Sequence, residues 1–154
     1  MREEKIISYW SDMYSRPNVF GTGPTKLAKM ANDLIYDKSI KNILEIGCGQ
    51  GRDSIFFSEK GYFVETFDIS ENAITFVNKT KKSFNLKNLN AIVHDVTEPF
   101  SYSNIFFDFV YSNLALQFFD INSLEKIFDN IYRVMKDEAT ILFSTKKKGD
   151  KYYN

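Results

Sequence analysis

Five short apolar runs alternate with longer amphipathic stretches, and this alternation limits the possible folds more than any other feature of the chain. The runs cover residues 42–46, 62–67, 89–94, 105–111 and 139–145. Apolar runs of this length predict buried β-strands, and the amphipathic stretches predict helices. Strands that alternate with helices form crossover units, so we expect an α/β fold with a mostly parallel sheet covered on both faces.

Two helices are predicted before the first strand. The first covers residues 5–14, and the second follows the loop 21–24, with Pro24 at its first helical position. Apolar residues recur at helical spacing in the second helix: Leu27, Met30, Ala31, Leu34 and Ile35. We expect these side chains to form one buried face.

Three more helices are predicted between the strands. The first covers residues 50–60, the second follows Ser70 as its N-cap, and the third runs over 122–135 from a capping box of Asn122 and Glu125. The 154 residues then form one domain. Residues 1–37 are expected to be an N-terminal helical cap, and 38–154 the core.

The composition argues against several kinds of partner and site. Twenty basic and twenty acidic residues balance, so no general attraction to nucleic acid or to anionic membranes is expected. No apolar run approaches the roughly 18 residues of a membrane helix. Cys48 is the only cysteine and His94 the only histidine, so neither a disulfide framework nor a metal site is expected. We therefore expect a reducing, cytoplasmic location.

The turn after the first predicted strand is rich in glycine and reads Gly47-Cys48-Gly49-Gln50-Gly51. Glycines let the backbone turn sharply and pass close to a ligand, although a strand-to-helix turn alone also favours glycine. Asp68 ends the second strand, where its carboxylate can accept hydrogen bonds from both hydroxyls of an adenosine ribose. An aspartate at a strand end is more often a helix cap. Behind this glycine turn, ribose binding is the better interpretation.

The third predicted strand also ends in an acidic residue. Asp95 can accept a hydrogen bond from the exocyclic amine of adenine, and Val96 supplies an apolar surface against the base. His94 precedes them, and we interpret it as a packed or solvent-facing strand end because it lacks a second metal ligand.

Together these features resemble the motif set of the class I S-adenosylmethionine-dependent methyltransferases of the small-molecule type. The matching segments are 45–51, Asp68, Asp95, 112–117, 131–136 and 141–144. The resemblance runs from about Tyr9 onward and implies a three-layer Rossmann-like fold with strand order 3-2-1-4-5. The family usually adds an antiparallel pair of strands beyond the fifth, which this chain does not contain.

The resemblance implies S-adenosylmethionine as cofactor, S-adenosylhomocysteine as product, and a role for each matching residue. Gly47, Cys48 and Gly49 would pass beneath the methionine and ribose parts, and Asn113 and Leu114 would border the sulfonium through their backbone. Glu45 would orient the loop or reach the ammonium group through water. Tyr14 would close over the methionine end of the ligand. Around the adenosine the matching residues are Asp68 on the ribose, Ile69 against the adenine, and Asp95 and Val96 on the base. Among the aromatic side chains, Tyr14, Tyr111 and Phe118 are the best placed to face the cation, although a core position is the commoner role for each, and Tyr14 is the preferred candidate.

The implied reaction is in-line methyl transfer to a small-molecule acceptor, and alignment can supply much of the catalysis. The sequence identifies neither that acceptor nor a general base. A nicotinamide-dependent oxidoreductase is disfavoured, because Arg52 stands where its pattern needs a third glycine. Nucleic-acid methylation is disfavoured because residues 112–115 lack the motif of base-amine methyltransferases.

A second reading remains open at this point. The chain is then a non-catalytic module that binds S-adenosylmethionine or S-adenosylhomocysteine, or a fragment of a longer methyltransferase. In either reading the fifth strand is an apolar sheet edge, which favours pairing with another chain. We therefore expect a possible homodimer through this edge.

Overall fold

The strands form a single five-stranded sheet in the computed structural model, which describes residues 3–36, 38–147 and 149. The strands are β1 Asn42–Ile46, β2 Phe63–Asp68, β3 Leu89–Val93, β4 Phe107–Asn113 and β5 Met135–Ser144. The helices are α1 Glu3–Met13, α2 Lys26–Ile35, α3 Arg52–Glu59, α4 Glu71–Ser83 and α5 Ile121–Val134, with a 3-10 turn at Leu116–Phe118.

The strand order is β3-β2-β1-β4-β5, and every pairing is parallel. Both the order and the α/β class confirm the prediction from the sequence. Because all strands run the same way, their carboxyl ends meet at one edge of the sheet. That edge carries the glycine turn after β1 and the ends of β2, β3 and β4.

Two hydrophobic clusters cover the two faces of the sheet. One joins β1 to α2, α3 and α4 through Ile43, and the other joins β1 to α5 through Leu44. Adjacent strand residues point to opposite faces, so a strand buried on both sides is apolar at consecutive positions. This explains why the strand runs read as continuous apolar segments.

Four helix starts differ from the prediction: α1 begins at Glu3 instead of residue 5 and α3 at Arg52 instead of residue 50, and the starts of α2 and α5 differ because of their caps. Helix α2 begins at Lys26 because the Thr25 side chain accepts a hydrogen bond from the Ala28 amide, so Pro24 lies before the N-cap. Helix α5 is capped by Asp120, whose Oδ1 accepts from the Ser123 amide at 2.8 Å. In both cases a side-chain oxygen that can reach the first-turn amides determines the start.

The buried face of α2 is also narrower than predicted. Ala28, Ala31 and Ile35 are buried, whereas Met30 is 64% and Leu34 44% exposed. The face that packs against the rest of the fold therefore follows the small residues and Ile35. Leu27 packs against this face while only partly buried, and Met30 and Leu34 lie outside it.

Strand β4 begins two residues later than predicted, since Ile105 has a left-handed backbone with φ +55°. Strand β5 follows α5 directly. Its pairing with β4 is irregular, because Phe107 pairs with Met135 whereas Phe109 pairs with Thr140, so β5 uses more residues than β4 over this stretch. Among the described helices, none has the length and apolar character of a membrane-spanning segment.

Candidate functional site

The Asp68 carboxylate joins the glycine turn to the end of β2. Its Oδ2 accepts a hydrogen bond from the Gly49 amide at 2.8 Å, and its Oδ1 accepts from the Ser70 amide at 3.0 Å. The residue is only 8% exposed. Burial raises the pKa of this carboxyl, and the hydrogen bonds from backbone amides oppose the shift. A carboxylate offers about four acceptor positions, and the backbone amides leave part of that capacity for the hydroxyls of a ligand.

The three glycines of the turn have left-handed backbones, and each meets a different neighbour. A Cβ on Gly47 would collide with the Ala115 side chain, and one on Gly51 would lie 2.6 Å from Val77 Cγ2. These two positions are therefore packed against the protein itself. A Cβ on Gly49 would lie 2.6 Å from the hydroxyl oxygen of Tyr14. Of the three, Gly49 is the one that faces the N-terminal segment.

Tyr14 belongs to an aromatic cluster that covers the turn. Its ring stacks on Trp10 with 5.6 Å between centroids, and Trp10 meets Phe118 edge-on at 5.4 Å. Phe20 meets Tyr14 edge-on, with 6.1 Å between centroids. Burial, followed by the charge of Asp68, raises the pKa of the Tyr14 hydroxyl far above neutral pH. The hydroxyl therefore remains protonated.

Two side chains beyond the turn bind the backbone of the N-terminal segment. Gln50 makes these contacts from within the turn and Arg52 from the start of α3, a role that the sequence analysis missed. Gln50 accepts from the Val19 amide at 2.9 Å and donates to the Arg16 carbonyl at 2.7 Å, while Arg52 donates to the carbonyls of Gly23, at 2.7 Å, and Phe20.

Asp53 makes the most buried of these contacts, with 2% exposure. Its Oδ1 accepts from the Thr25 amide at 2.7 Å, and its Oδ2 accepts from the Thr25 hydroxyl at 2.8 Å and the Tyr111 hydroxyl at 2.7 Å. Tyr111 is thus a fully buried core residue that anchors Asp53. Of the two roles considered for Tyr111, the structure supports the core position and not a face toward a cationic ligand, because its hydroxyl is directed to this carboxylate.

Glu45 lies in β1 beneath the turn and is 3% exposed. The Ser54 hydroxyl, in the first turn of α3, donates to its Oε2. Burial raises the pKa of Glu45 well above its usual range, the charge of Asp53 raises it further, and the Ser54 hydrogen bond opposes the shift. Its hydrogen bond therefore links β1 to α3.

Cys48 is a buried free thiol whose backbone supports the turn. The amides of Gly47 and Cys48 both donate to the Phe67 carbonyl, at 3.0 and 3.2 Å. The turn is therefore tied to β2 through its backbone as well as through Asp68. Ile69 follows Asp68 directly and is partly exposed.

The end of β3 presents Asp95 beside the buried Val96. Asp95 Oδ1 accepts from both the amide and the hydroxyl of Thr97, at 2.9 and 2.8 Å. Within the described residues, Oδ2 has no hydrogen-bond donor. The His94 ring packs edge-on against Phe67 at 5.1 Å. This contact agrees with the interpretation of His94 as a packed residue at a strand end. The described residues contain no group of side chains arranged to hold a metal ion.

The end of β4 is tied to the end of β5. Asn113 Oδ1 accepts from the Ser144 hydroxyl at 2.6 Å, and the Leu114 amide donates to the Ser144 carbonyl at 3.1 Å. Leu114 has φ +59°, a left-handed backbone that costs a branched residue about 1–2 kcal/mol. Its side chain is 39% exposed beside the turn. The structure thus brings Tyr14, the glycine turn and the ends of β2, β3 and β4 to one edge of the sheet.

Comparison with known proteins agrees with this geometry. The family model described as "Tellurite resistance protein TehB" matches residues 23–148. The curated protein "Probable S-adenosyl-L-methionine-dependent methyltransferase TehB" of Haemophilus influenzae is 35% identical over 89 residues, 58% of this chain and 30% of that protein. "Malonyl-[acyl-carrier protein] O-methyltransferase 2" of Ilyobacter polytropus is 34% identical over 122 residues, 75% of this chain and 43% of that protein.

The crystal structure of TehB from Haemophilus influenzae has the same fold, with a TM-score of 0.69 and 27% identity over 89% of this chain and 44% of that one. The chain thus spans less than half the length of these relatives. The family match covers most of the chain, and the resemblance to class I S-adenosylmethionine-dependent methyltransferases is confirmed. The chain therefore belongs to the TehB family.

Proposed function

We propose that this chain binds S-adenosylmethionine and transfers its methyl group to a small-molecule acceptor. The observation that carries the proposal is the Asp68 carboxylate, which is held by the Gly49 amide and keeps acceptor capacity for ligand hydroxyls. It lies at the carboxyl edge of a parallel sheet, where ligands of such folds bind. Membership of the TehB family supports the same cofactor.

The other side chains at this edge fit that cofactor chemically. S-adenosylmethionine carries a sulfonium and an ammonium, which favour carboxylates, carbonyls and aromatic faces. Tyr14 and Trp10 offer the aromatic faces, and Asp95 offers a carboxylate oxygen for the adenine amine. The further assignments are Ile69 and Val96 against the adenine, Gly47 and Cys48 beneath the ligand, Asn113 and Leu114 beside the sulfonium, and Glu45 orienting the loop.

The cofactor supplies a methyl group on a good leaving group, so the protein's task is chiefly to align the acceptor and exclude water. The aromatic cluster over Gly49 can exclude water from the turn. Burial raises the pKa of both Tyr14 and Tyr111 far above neutral pH, which makes either hydroxyl a poor general base. We therefore propose neither hydroxyl as the base that would take a proton from the acceptor.

The acceptor itself is the part of the proposal that the relatives leave open. Their names point to different chemistry, namely tellurite resistance and methylation of a malonyl group on a carrier protein. The test is transfer of a labelled methyl group from S-adenosylmethionine to a panel of tellurite, small thiols, small amines and malonyl carrier protein. We expect a small acceptor to be labelled. Labelling of the carrier protein alone would contradict a small-molecule acceptor.

The alternative is a module or fragment that binds the cofactor without transfer. Calorimetry with S-adenosylhomocysteine separates the readings, because binding without labelling of any acceptor favours the module. No heat and no thermal shift at millimolar cofactor contradicts both, and preference for NADH would restore the oxidoreductase reading.

We also propose a cytoplasmic location, supported by the unpaired thiol of Cys48.

A further inference from the structure

Three side chains at the end of the glycine turn and the start of α3 make no contact that the proposed function assigns to the cofactor. They are Gln50, Arg52 and Asp53, and all three bind one segment, residues 15–25. We call this segment the strap, since it connects α1 to α2 across the start of α3. The loop that forms the turn therefore also anchors the chain that covers it.

Asp53 is the central anchor because both of its oxygens are used. Thr25, at the end of the strap, donates its amide to Oδ1 and its hydroxyl to Oδ2. Tyr111, in β4, donates to the same Oδ2 from 58 residues away. The carboxylate thus fixes one end of the strap against both α3 and the central sheet, in a site from which solvent is excluded.

The other end of the strap follows directly on Tyr14. The Tyr14 ring lies over Gly49, so the position of the strap determines how closely the ring covers the turn. Phe20, within the strap, packs against the Tyr14 ring, and Arg52 donates a hydrogen bond to the carbonyl of Phe20. A continuous set of contacts therefore runs from Asp53 through the strap to the ring above Gly49.

We propose that Asp53 is a positioning residue for cofactor binding, acting through Thr25 and the strap to hold Tyr14 over Gly49. This proposal rests on the proposed function, because it assigns to Tyr14 a part in retaining the cofactor. It also makes a claim about the ligand-free protein, namely that loss of the Asp53 carboxylate releases the aromatic cluster. The two claims can be measured separately.

Trp10 reports on the strap without any ligand. It is the only tryptophan in the chain, and its ring stacks on Tyr14. The test variant is Asp53→Asn, which replaces one acceptor oxygen by an NH2 donor. The matched control is Asp108→Asn, because Asp108 is likewise a carboxylate that accepts from an upstream segment, namely from the amides of Lys41 and Asn42 at 2.9 and 2.8 Å. It lies at the opposite end of β4 and also pairs with Lys136 at 2.7 Å.

We expect Asp53→Asn to shift the Trp10 emission to longer wavelength in the ligand-free protein and to weaken binding of S-adenosylhomocysteine about tenfold. The apparent dissociation constant is inversely proportional to the fraction of molecules in which the strap is in place. A tenfold weaker affinity therefore corresponds to a strap that is in place in about one molecule in ten. Asp108→Asn should leave both readouts at the wild-type value. A purely structural role would lower the melting temperature of both variants, while the Trp10 emission and the affinity of each would stay at the wild-type values.

Thr25 supplies a second, milder pair of variants should Asp53→Asn fail to fold. Thr25→Ala removes the hydroxyl and keeps the amide donor, while Thr25→Ser keeps both. We expect a smaller loss of affinity and a smaller Trp10 shift in Thr25→Ala, and rescue of both in Thr25→Ser. Equal behaviour of the two variants would overturn the proposal.

The outcomes separate this proposal from the proposed function. If the wild-type chain fails to bind S-adenosylhomocysteine, the proposed function fails and the positioning role fails with it, whatever Trp10 reports. If the wild type binds and Asp53→Asn binds equally well, the positioning role alone is overturned. A Trp10 shift at unchanged affinity would show that the strap is anchored but plays no part in holding the cofactor.

Discussion

The Gly49 amide donates a hydrogen bond to Asp68 Oδ2 over 2.8 Å, which joins the turn after β1 to the end of β2 across 19 residues of sequence. The other oxygen of the same carboxylate accepts from the Ser70 amide at the start of α4. Asp68 therefore holds the turn in place in addition to its proposed contact with the ribose. A substitution at this position should affect both properties.

Asp68→Ala should abolish measurable binding of S-adenosylhomocysteine and lower the free energy of unfolding by about 1–3 kcal/mol, the cost of leaving buried amides without a partner. Calorimetry and urea unfolding measure the two effects. Asp120→Ala is the control, because Asp120 caps α5 through the Ser123 amide and is not hydrogen-bonded to the turn among the described residues; it should cost about 1 kcal/mol without changing affinity. Wild-type affinity in Asp68→Ala would place the ribose elsewhere.

Gly49→Ala should destabilise the protein by more than the backbone strain alone, because the new Cβ meets the Tyr14 hydroxyl. Gly61→Ala is the matched control, since Gly61 also has a left-handed backbone but its Cβ would meet nothing within 4 Å. That control should cost about 1–2 kcal/mol.

In a Tyr14→Ala background the cost of Gly49→Ala should fall to the level of the control, while the cost of Gly61→Ala should not change. Urea unfolding of the single and double variants gives both costs. An undiminished cost of Gly49→Ala would show that Tyr14 does not cover the turn.

Glu45 should make stability depend on pH. Its folded pKa lies well above the unfolded value, so the folded state binds the proton more tightly. Stability is then highest below the unfolded pKa and falls as the pH rises toward the folded pKa. Glu45→Gln should flatten this dependence and raise stability relative to wild type as the pH rises through that window.

Urea unfolding at a series of pH values from 4 to 8 measures the effect, with the exposed Glu98→Gln as control. We expect the control to follow the wild-type curve. If Glu45→Gln keeps the same slope as wild type, the side chain is not the source of the dependence.

Residues 9–14 should act as a lid over the methionine end of the cofactor. The lid continues into the strap, and Gly21 and Gly23 provide backbone freedom at its far end. Hydrogen exchange with and without S-adenosylhomocysteine should show slower exchange of 9–14 in the complex, while buried amides of α5 stay unchanged. Equal protection of residues 9–14 in both states would count against a lid.

Strand β5 should mediate self-association. It pairs with β4 on one side, and no other strand among the described residues pairs with its second side. Phe143, in this strand, is 43% exposed. Light scattering should show a dimer that Phe143→Lys shifts toward monomer, whereas Tyr132→Lys, on the exposed face of α5, should not. A wild-type monomer at high concentration would contradict this prediction.

The sequence alone determined the parts of the fold that depend on local pattern. The apolar runs predicted five strands, their alternation with helices predicted the parallel sheet, and Ser70 was correctly predicted as an N-cap. The glycine turn and Asp68 could be paired in advance because consecutive parallel strands place their carboxyl ends side by side. These features need only the periodicity of one segment or the order of neighbouring segments.

The tertiary structure decided which side chains meet across the chain. Nothing in the local pattern indicates that Asp53 receives hydrogen bonds from Thr25, 28 residues away, and from Tyr111, 58 residues away. An aspartate in the first turn of a helix and a tyrosine in a strand each have a sufficient local explanation, so neither predicts the other. Their pairing follows from how α2, α3 and β4 pack together, because burial of a carboxylate requires donors that only the assembled core brings within hydrogen-bonding distance.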